Sequence, residues 1–153
     1  MIETAVNIRA ADVDDARLLW NWRNDPDVRA ASLETEPINF DRHLDWYEAA
    51  LADPSREILI AEHNHRPIGM VRFDVDDDIA TINILLDPMD RSRGLAKQVL
   101  AKAISRSSIS FRWLRATVKN DNASSLALFR GLGFRGTKSS DHYSFERERG
   151  SAP

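Results

Sequence analysis

The sequence predicts an α+β domain in which helices pack on a largely antiparallel sheet. Three strand-like runs, at residues 57–62, 68–75 and 79–86, follow one another with only short polar turns between them. Strands joined by short turns pair as antiparallel neighbours. A helical pattern from Gly94 then separates the third run from a further strand-like run at 113–118. The chain must therefore cross over in a strand–helix–strand unit.

A short strand and two helices are expected before these hairpins. The strand covers residues 5–9. Asp12 can cap a helix over residues 12–23, because its carboxylate can accept hydrogen bonds from the free N–H groups of the first turn. Pro26 and the AAS segment then interrupt the helical pattern. A second helix, amphipathic, is expected from 41 to 52.

The second half of the chain continues with a helix, a strand, a helix and a final strand. Residues 122–132 are expected to form a helix that ends at Gly133, because glycine readily adopts the left-handed conformation that closes a helix. A last strand is expected near 142–147. The domain therefore spans residues 1–147, and residues 148–153 are expected to form a flexible tail.

The composition excludes several classes of function. The chain has 153 residues, enough for one domain with a core, and a formal net charge of -3. No nucleic-acid partner is expected, because such domains usually carry a basic field. The absence of cysteine excludes disulfides, thiolate metal sites and cysteine nucleophiles, and no metal is expected. No apolar run approaches the roughly 20 residues of a membrane span and no signal peptide is evident, so a cytoplasmic protein without membrane contact is expected.

The segment RSRGLA, residues 91–96, lies where the run IATINILL passes into the next helical pattern. The first four N–H groups of a helix have no partner within the helix, and the helix dipole favours an anion there. Gly94 and Ala96 keep bulky side chains away from this end, while Arg91 and Arg93 add charge that suits a phosphate. The segment therefore predicts a site for a phosphorylated ligand.

Two motifs in this order resemble those of the GNAT acetyltransferase superfamily. The pyrophosphate loop of that family has the form Arg/Gln-x-x-Gly-x-Gly/Ala and follows a strand and a proline, as RSRGLA does here. The second motif is an asparagine, a short helix and Gly-Phe, matched here by Asn122 and Gly133-Phe134. The resemblance covers nearly the whole chain. It implies a GNAT-like sheet in which two strands, at residues 82–86 and 115–119, diverge and hold acyl-CoA between them.

The resemblance also implies acetyl-CoA as the co-substrate. The pyrophosphate is expected on the N–H groups of residues 93–96, and the pantetheine arm is expected to pair with the strand near Ile84 to Leu86. A bulge in the strand 79–86, around Asn83 to Leu85, would free an N–H group for the thioester oxygen, so Asn83 is a catalytic candidate. The residues expected to bind the cofactor are Ile84, Leu85, Leu86, Arg91, Arg93, Gly94, Leu95, Ala96, Lys97, Asn122 and Phe129.

The usual position of the proton donor departs from the family pattern. Many GNAT members place a tyrosine in the helix of the second motif, whereas this chain has Phe129 there. The phenols of the chain are Tyr47 and Tyr143, and of these Tyr143 is the catalytic candidate. The thiolate can also leave unaided, because a thiol pKa of about 8.5 makes it a tolerable leaving group. Phe129 would then form a wall of the pocket, and a catalytically silent acyl-CoA-binding module is an alternative.

The front of the chain narrows the expected acceptor. The segment WNWRNDPDVR and the H-x-x-W pair of His43 and Trp46 look like those of amino-sugar-nucleotide acetyltransferases of the pseudaminic acid pathway, and they are similar to acetyltransferases of ribosomal-protein N-termini. The resemblance implies Arg23, His43 and Trp46 as substrate-binding residues. His43 could also accept the amine proton as a catalytic base, or could be a partly buried structural residue. We expect a small-molecule acceptor, a primary amine of a nucleotide-linked amino sugar; a protein N-terminus is the alternative, and a homodimer is left open.

Overall fold

The computed structural model describes residues 5–91 and 94–150. The strands in this part of the chain are β1 (Asn7–Ala10), β2 (Arg56–His63), β3 (Arg66–Asp76), β4 (Ile79–Leu86), β5 (Trp113–Lys119), β6 (Arg135–Lys138) and β7 (His142–Glu148). The helices are α1 (Ala16–Asn24), α2 (Pro26–Ala31), α3 (Phe40–Ala52), α4 (Leu95–Arg106) and α5 (Ala123–Gly131). Single turns of 3-10 helix, at Val13–Asp15 and Pro88–Asp90, precede α1 and α4.

The described strands form one sheet in the order β1-β2-β3-β4-β5-β7-β6. Every neighbouring pair is antiparallel except β4 and β5, which run parallel and are connected by α4. The turn between β2 and β3 suits a tight hairpin, because Asn64 and His65 both have positive φ, 54° and 63°. The observed sheet confirms the predicted α+β class and the crossover.

The parallel strands β4 and β5 diverge soon after they begin. Their pairing runs from Ile79–Trp113 to Thr81–Arg115 and ends there. β4 nevertheless continues to Leu86, and β5 continues to Lys119. The divergent strand pair implied by the family resemblance is therefore present, and it leaves a gap near the middle of the sheet.

Helices cover both faces of the sheet, and the sheet separates the core into two parts. Side chains alternate between the faces along each strand. The core under α4 and α5 includes Val71, Phe73, Ala80, Ile82, Val99, Leu100 and Phe129. The core under α1 and α3 includes Leu19, Trp22, Tyr47, Ile58, Ile60 and Met70. On the α1/α3 face, the outward residues of β5 are polar or charged, Arg115, Thr117 and Lys119, so this end of the face is open for contact with other molecules.

Capping residues fix the helix ends as the sequence predicts. Asp12 and Asp15 form a capping box: the Asp12 carboxylate accepts the Asp14 N–H, and the Asp15 carboxylate accepts the Asp12 N–H. Gly133, with φ 82°, ends α5: the Gly133 N–H donates to Arg130 and the Phe134 N–H donates to Phe129. This pair of hydrogen bonds is the Schellman arrangement that a glycine after a helix favours.

The sequence does not predict α2 or β6. Pro26 begins α2 instead of only ending α1, because proline suits the first position of a helix and the Asp25 carboxylate accepts the N–H groups of Asp27 and Val28. β6 carries no buried side chain, so it lacks the alternation by which strands are predicted. Its hydrogen bonds to β7 alone define it.

The predicted start of the tail at residue 148 is wrong. β7 continues through Glu148. The Arg149 guanidinium donates hydrogen bonds to the carbonyl oxygens of Ile104, Ser107 and Ile109, at 2.9–3.2 Å. Arg149 therefore satisfies carbonyl groups at the end of α4, and the packed domain extends at least to this residue.

Candidate functional site

The divergence of β4 and β5 leaves unpaired backbone groups along one edge of the gap. The Asp87 N–H, just after β4, donates to the Ile68 carbonyl oxygen at 2.7 Å, so residue 87 bonds towards β3. In an antiparallel pair, every second residue bonds to the same neighbour. The N–H and C=O groups of Ile84 and Leu86 therefore point away from β3 and into the gap.

β5 forms the other edge of the gap. The Asn120 N–H donates to Asp141 at 3.2 Å, and the Arg112 carbonyl accepts from the Arg149 N–H at 2.8 Å, so the even-numbered residues of β5 bond towards β7. The odd-numbered residues consequently face β4. Beyond the last β4–β5 pair, Thr117 directs its backbone groups into the gap. An extended ligand with its own amide groups could pair with these edges as a strand does.

Within the described residues of β4, the expected bulge is absent. β3 and β4 pair without a register shift from Asp76–Ile79 to Gly69–Leu86. Asn83 and Leu85 therefore bond towards β3, and the Asn83 side chain is exposed on the α1/α3 face. The prediction is wrong because the divergence of two strands, not a bulge, frees the N–H groups. The first freed N–H beyond the paired region is that of Ile84.

The loop after β4 ends in a left-handed glycine at the N-terminus of α4. Gly94 has φ 72° and ψ 13°, and a Cβ added to it would meet no heavy atom within 4 Å. Gly94 gives α4 no side-chain cap, and among the described residues no side chain accepts the N–H groups of Leu95, Ala96 and Lys97, which could therefore bind an anion. Arg93 lies outside the described residues.

Two contacts place α2 across the open end of the gap. The Arg91 Nη1 lies 3.9 Å from an Asp27 carboxylate oxygen, and the Asp27 side chain is 77% exposed. From β5, the Lys119 Nζ donates to the Ala30 carbonyl oxygen at 3.0 Å. The Arg91–Asp27 pair is long and exposed, and such pairs contribute little to stability. A phosphate could therefore replace Asp27 as the partner of Arg91 with little loss of stability.

Partly buried polar contacts hold the loop between β4 and α4 in place. The Trp22 Nε1–H donates to one Asp87 carboxylate oxygen at 2.9 Å, and the Met89 N–H donates to the other at 3.0 Å. Asp90 is fully buried and accepts two hydrogen bonds from the Arg66 guanidinium. These residues are not predicted from the sequence. The signal that could have identified them is the pair of acidic residues in DPMD, within a loop predicted to bind an anion.

The second-motif residues and Tyr143 occupy different surroundings. Asn122 caps α5, its side-chain oxygen accepting the Ser125 N–H at 3.3 Å. Phe129 is 2% exposed and stacks on Phe145 at a centroid distance of 5.5 Å, so it belongs to the core and has no proton to give. Tyr143 also stacks on Phe145, and β5 separates its strand from the gap. The structure thus does not bring Tyr143 to the gap, which removes its support as a proton donor.

On the α1/α3 face, two arginine side chains lie against the ring of Trp46. The Arg23 guanidinium carbon lies 5.4 Å from the centre of the Trp46 ring, and that of Arg72, on β3, lies 4.9 Å from it. Burial lowers the pKa of both guanidinium groups, and the charge of Arg72 lowers the pKa of Arg23 further. The structure therefore brings together Arg23 and Trp46 as the sequence predicts. It adds Arg72, which the sequence analysis missed.

His43 lies in the core beneath this cluster and is not at the gap. It is 1% exposed, its Nε2 bonds the Ala16 carbonyl oxygen at 2.9 Å, and its ring stacks on Tyr47. Burial lowers the pKa of the imidazole, so the neutral ring with a proton on Nε2 is the favoured form. The structure does not support the predicted roles of His43 as a base and as an acceptor ligand, because its ring is buried among Ala16, Tyr47 and the half-buried Trp46.

The gap, the left-handed glycine at α4 and the asparagine-capped α5 together suggest a known family, and a comparison decides it. The model of the acetyltransferase (GNAT) domain family matches residues 6–135 of the chain. The chain belongs to the GNAT acetyltransferase family. The specific branches suggested by the front of the chain are not confirmed by this match.

Curated relatives of this GNAT domain include two acetyltransferases. An uncharacterized N-acetyltransferase of Bacillus subtilis, YfmK, is 30% identical over 91 residues, which are 59% of the chain and 62% of that protein. The L-2,4-diaminobutyric acid acetyltransferase of Halalkalibacterium halodurans is 26% identical over 137 residues, which are 86% of the chain and 66% of that protein. The chain thus aligns with less than two thirds of the length of either protein.

Solved structures confirm the GNAT fold. The spermidine N-acetyltransferase of Vibrio cholerae, in complex with CoA and spermine, has a TM-score of 0.86 and 18% identity, with 94% of this chain and 95% of that chain covered. At this identity the likeness concerns the fold alone. In the described part of the GNAT domain, no helix is long and apolar enough to cross a membrane, and no three His, Cys, Asp or Glu side chains are grouped as a metal site.

Proposed function

We propose that this GNAT domain transfers an acetyl group from acetyl-CoA to a primary amine. The observation that carries the proposal is the gap between β4 and β5, which leads towards the uncapped N-terminus of α4. Free backbone groups line the gap at Ile84, Leu86 and Thr117. They suit the amides of a pantetheine arm, as the N–H groups after Gly94 suit a pyrophosphate.

The chain's own groups provide binding and electrostatic stabilisation. When bound, acetyl-CoA supplies an acetyl group activated as a thioester. We propose that the Ile84 N–H, the first free donor beyond the paired part of β4, stabilises negative charge on the acetyl oxygen. A donor of this kind typically contributes about 10²–10³ in rate. Phe129 supplies no proton, and a thiol pKa of about 8.5 allows the sulfur to leave without one.

For the acceptor we propose an amino sugar linked to a nucleotide. Arg23 and Trp46 support it, because they lie together on the open face beside β4. An arginine suits a nucleotide phosphate, and the face of a tryptophan suits a base or a sugar ring. We further propose that the domain acts in the cytoplasm on this small molecule.

The test is release of free thiol from acetyl-CoA in the presence of candidate amines, with the acetylated product identified by mass spectrometry. The panel contains UDP-linked amino sugars and peptides with free N-termini, and an acceptor-free reaction serves as the blank. Acetylation of a UDP-amino sugar is the expected result. Acetylation of peptides alone would replace the acceptor and keep the reaction.

A silent acyl-CoA-binding module would give a different result in the same assay. Wild-type protein would bind acetyl-CoA in calorimetry and release no thiol with any amine. If Phe129→Tyr then restored transfer, the missing phenol would be the cause, and the proposed activity of the wild type would be wrong. We expect wild-type turnover without a phenol at this position.

A further inference from the structure

Two arginines share one aromatic ring on the acceptor side of the sheet. Arg23 comes from α1 and Arg72 from β3, and both guanidinium groups lie within 5.4 Å of the centre of the Trp46 ring. The Arg72 side chain is only 19% exposed. Two like charges that are partly removed from water repel each other and lose hydration, which destabilises the site unless an anion compensates.

The compensation within the chain is incomplete. The Arg72 Nε donates to an Asp74 carboxylate oxygen at 3.1 Å. Among the described residues, no carboxylate forms an ion pair with Arg23. Glu34 favours the charged form of Arg23 at longer range, whereas Arg72 and Arg42 oppose it. One positive charge at the Trp46 ring is therefore left for a ligand.

The pair lies close to the gap in which the proposed reaction takes place. Arg72 is paired with Asn83 of β4, and side chains of paired residues lie on the same face. Asn83 directly precedes Ile84, whose backbone groups line the gap. The cluster of Arg23, Trp46 and Arg72 therefore lies on the β4 side of the gap, where a molecule that enters from the α1/α3 face can contact it.

We infer that Arg23 and Arg72 bind an anionic group of the acceptor, a carboxylate or a phosphate, and select such amines against polyamines. The inference rests on the proposed function and adds to it the charge of the substrate class, with Arg72 as a second specificity residue. A polyamine carries only positive charge and would be repelled by the pair. The planar fork of each guanidinium suits either anion.

The experiment compares acceptors that differ only in the anionic group. One pair is L-2,4-diaminobutyrate and 1,3-diaminopropane, which lacks the carboxylate. The other is glucosamine 6-phosphate and glucosamine, which lacks the phosphate. We expect kcat/KM to be at least about 10-fold higher for the anionic member of one pair. The pair that shows this preference indicates whether the site prefers a carboxylate or a phosphate. Spermine is expected to be the poorest acceptor.

Variants then locate the selection. Arg23→Gln and Arg72→Gln should each lower kcat/KM for the anionic acceptor about 10- to 100-fold. For the partner that lacks the anionic group, kcat/KM should not fall and should rise for the dicationic 1,3-diaminopropane, because one repelling charge is removed. Arg72→Lys should keep part of the preference, because the charge stays and the fork is lost. Arg17→Gln is the matched control: Arg17 is also on α1 and stacks 4.2 Å from Phe40, away from Trp46. A purely structural role would lower kcat/KM equally for both members of a pair.

The possible failures are distinguishable. If amines are acetylated without preference for an anionic group, or if spermine is preferred, the inference is wrong and the acetyltransferase activity stands. If no amine is acetylated, the proposed function fails. Calorimetry of UDP and of L-2,4-diaminobutyrate with the CoA-loaded protein then decides the inference: binding lost in Arg23→Gln and Arg72→Gln supports it, and no binding overturns it.

Discussion

A charge placed at Gly94 gives the most direct test of the phosphate site at α4. The backbone there is left-handed, with φ 72° and ψ 13°, and an added Cβ would point into open space. Any side chain at this position therefore causes backbone strain without a clash. Gly94→Glu and Gly94→Gln have the same strain and almost the same size, so their difference isolates the negative charge.

The magnitude follows from these two terms. An L-residue in the left-handed region costs roughly 1–2 kcal/mol, so both variants should lose about 2–8 °C in melting temperature. Two unit charges about 4 Å apart repel by about 1 kcal/mol in water and about 4 kcal/mol near a protein surface. Because Gly94 is exposed, we expect the lower part of this range. An added cost of roughly 1–2 kcal/mol weakens acetyl-CoA binding about 5- to 30-fold in Gly94→Glu relative to Gly94→Gln.

Isothermal calorimetry with acetyl-CoA measures the two affinities, and circular dichroism checks that both variants fold. The difference should shrink as salt is raised, since the Debye length falls from about 10 Å at 0.1 M to about 3 Å at 1 M. Equal affinities for Gly94→Glu and Gly94→Gln at low salt would refute the reasoning. The pyrophosphate would then not lie at this end of α4, whatever its place elsewhere.

Two further variants test how the site is supported. In Gly69→Ala the new Cβ would lie 2.7 Å from the Leu85 carbonyl oxygen, so β4 must shift. We expect roughly 1–3 kcal/mol lower stability in urea unfolding and weaker acetyl-CoA binding. Gly131→Ala is the control: its nearest atom is 3.9 Å away and Gly131 lies in α5, so this change should lower neither the stability nor the binding. Asp15→Asn should lower the free energy of unfolding by roughly 1–3 kcal/mol at pH 7. Hydrogen bonds from Arg9 lower the pKa of Asp15, so its stabilising effect is full above the unfolded pKa of about 3.9 and is lost as pH falls through the folded value; a difference that stays constant down to pH 2 would contradict this.

The parts of the fold that the sequence predicts are those with local causes. Asp12, Asn122 and Gly133 each act on hydrogen bonds within a few residues of themselves, so a single segment is enough to place the helix ends. The hairpins of β2, β3 and β4 follow in the same way from apolar runs and short turns. α2 could not be placed from periodicity, because proline is compatible both with the end of one helix and with the start of the next.

His43 shows where helical periodicity stops being informative. It lies one turn before Tyr47 on α3, so the pattern assigns both to one face without saying what that face meets. This face packs against α1, and the Ala16 carbonyl oxygen accepts a hydrogen bond from the imidazole Nε2 of His43. Trp46 directly precedes Tyr47 and is turned towards the two arginines instead. A rotation of about 100° per residue thus separates the buried His43 and Tyr47 from the half-buried Trp46.

The acceptor side depends on contacts between residues far apart in the chain. Arg72 lies within the mostly apolar run IGMVRFDV, and its side chain reaches Trp46 only because alternation places it on the face that α1 and α3 cover. That choice of face depends on sheet register, which a single sequence does not reveal. The anion site at α4, by contrast, uses backbone groups of a few consecutive residues. Proteins can therefore share the anion site at α4 and differ in the charges beside Trp46. For this reason, the likeness of the fold to a spermine-bound protein does not determine the acceptor of this chain.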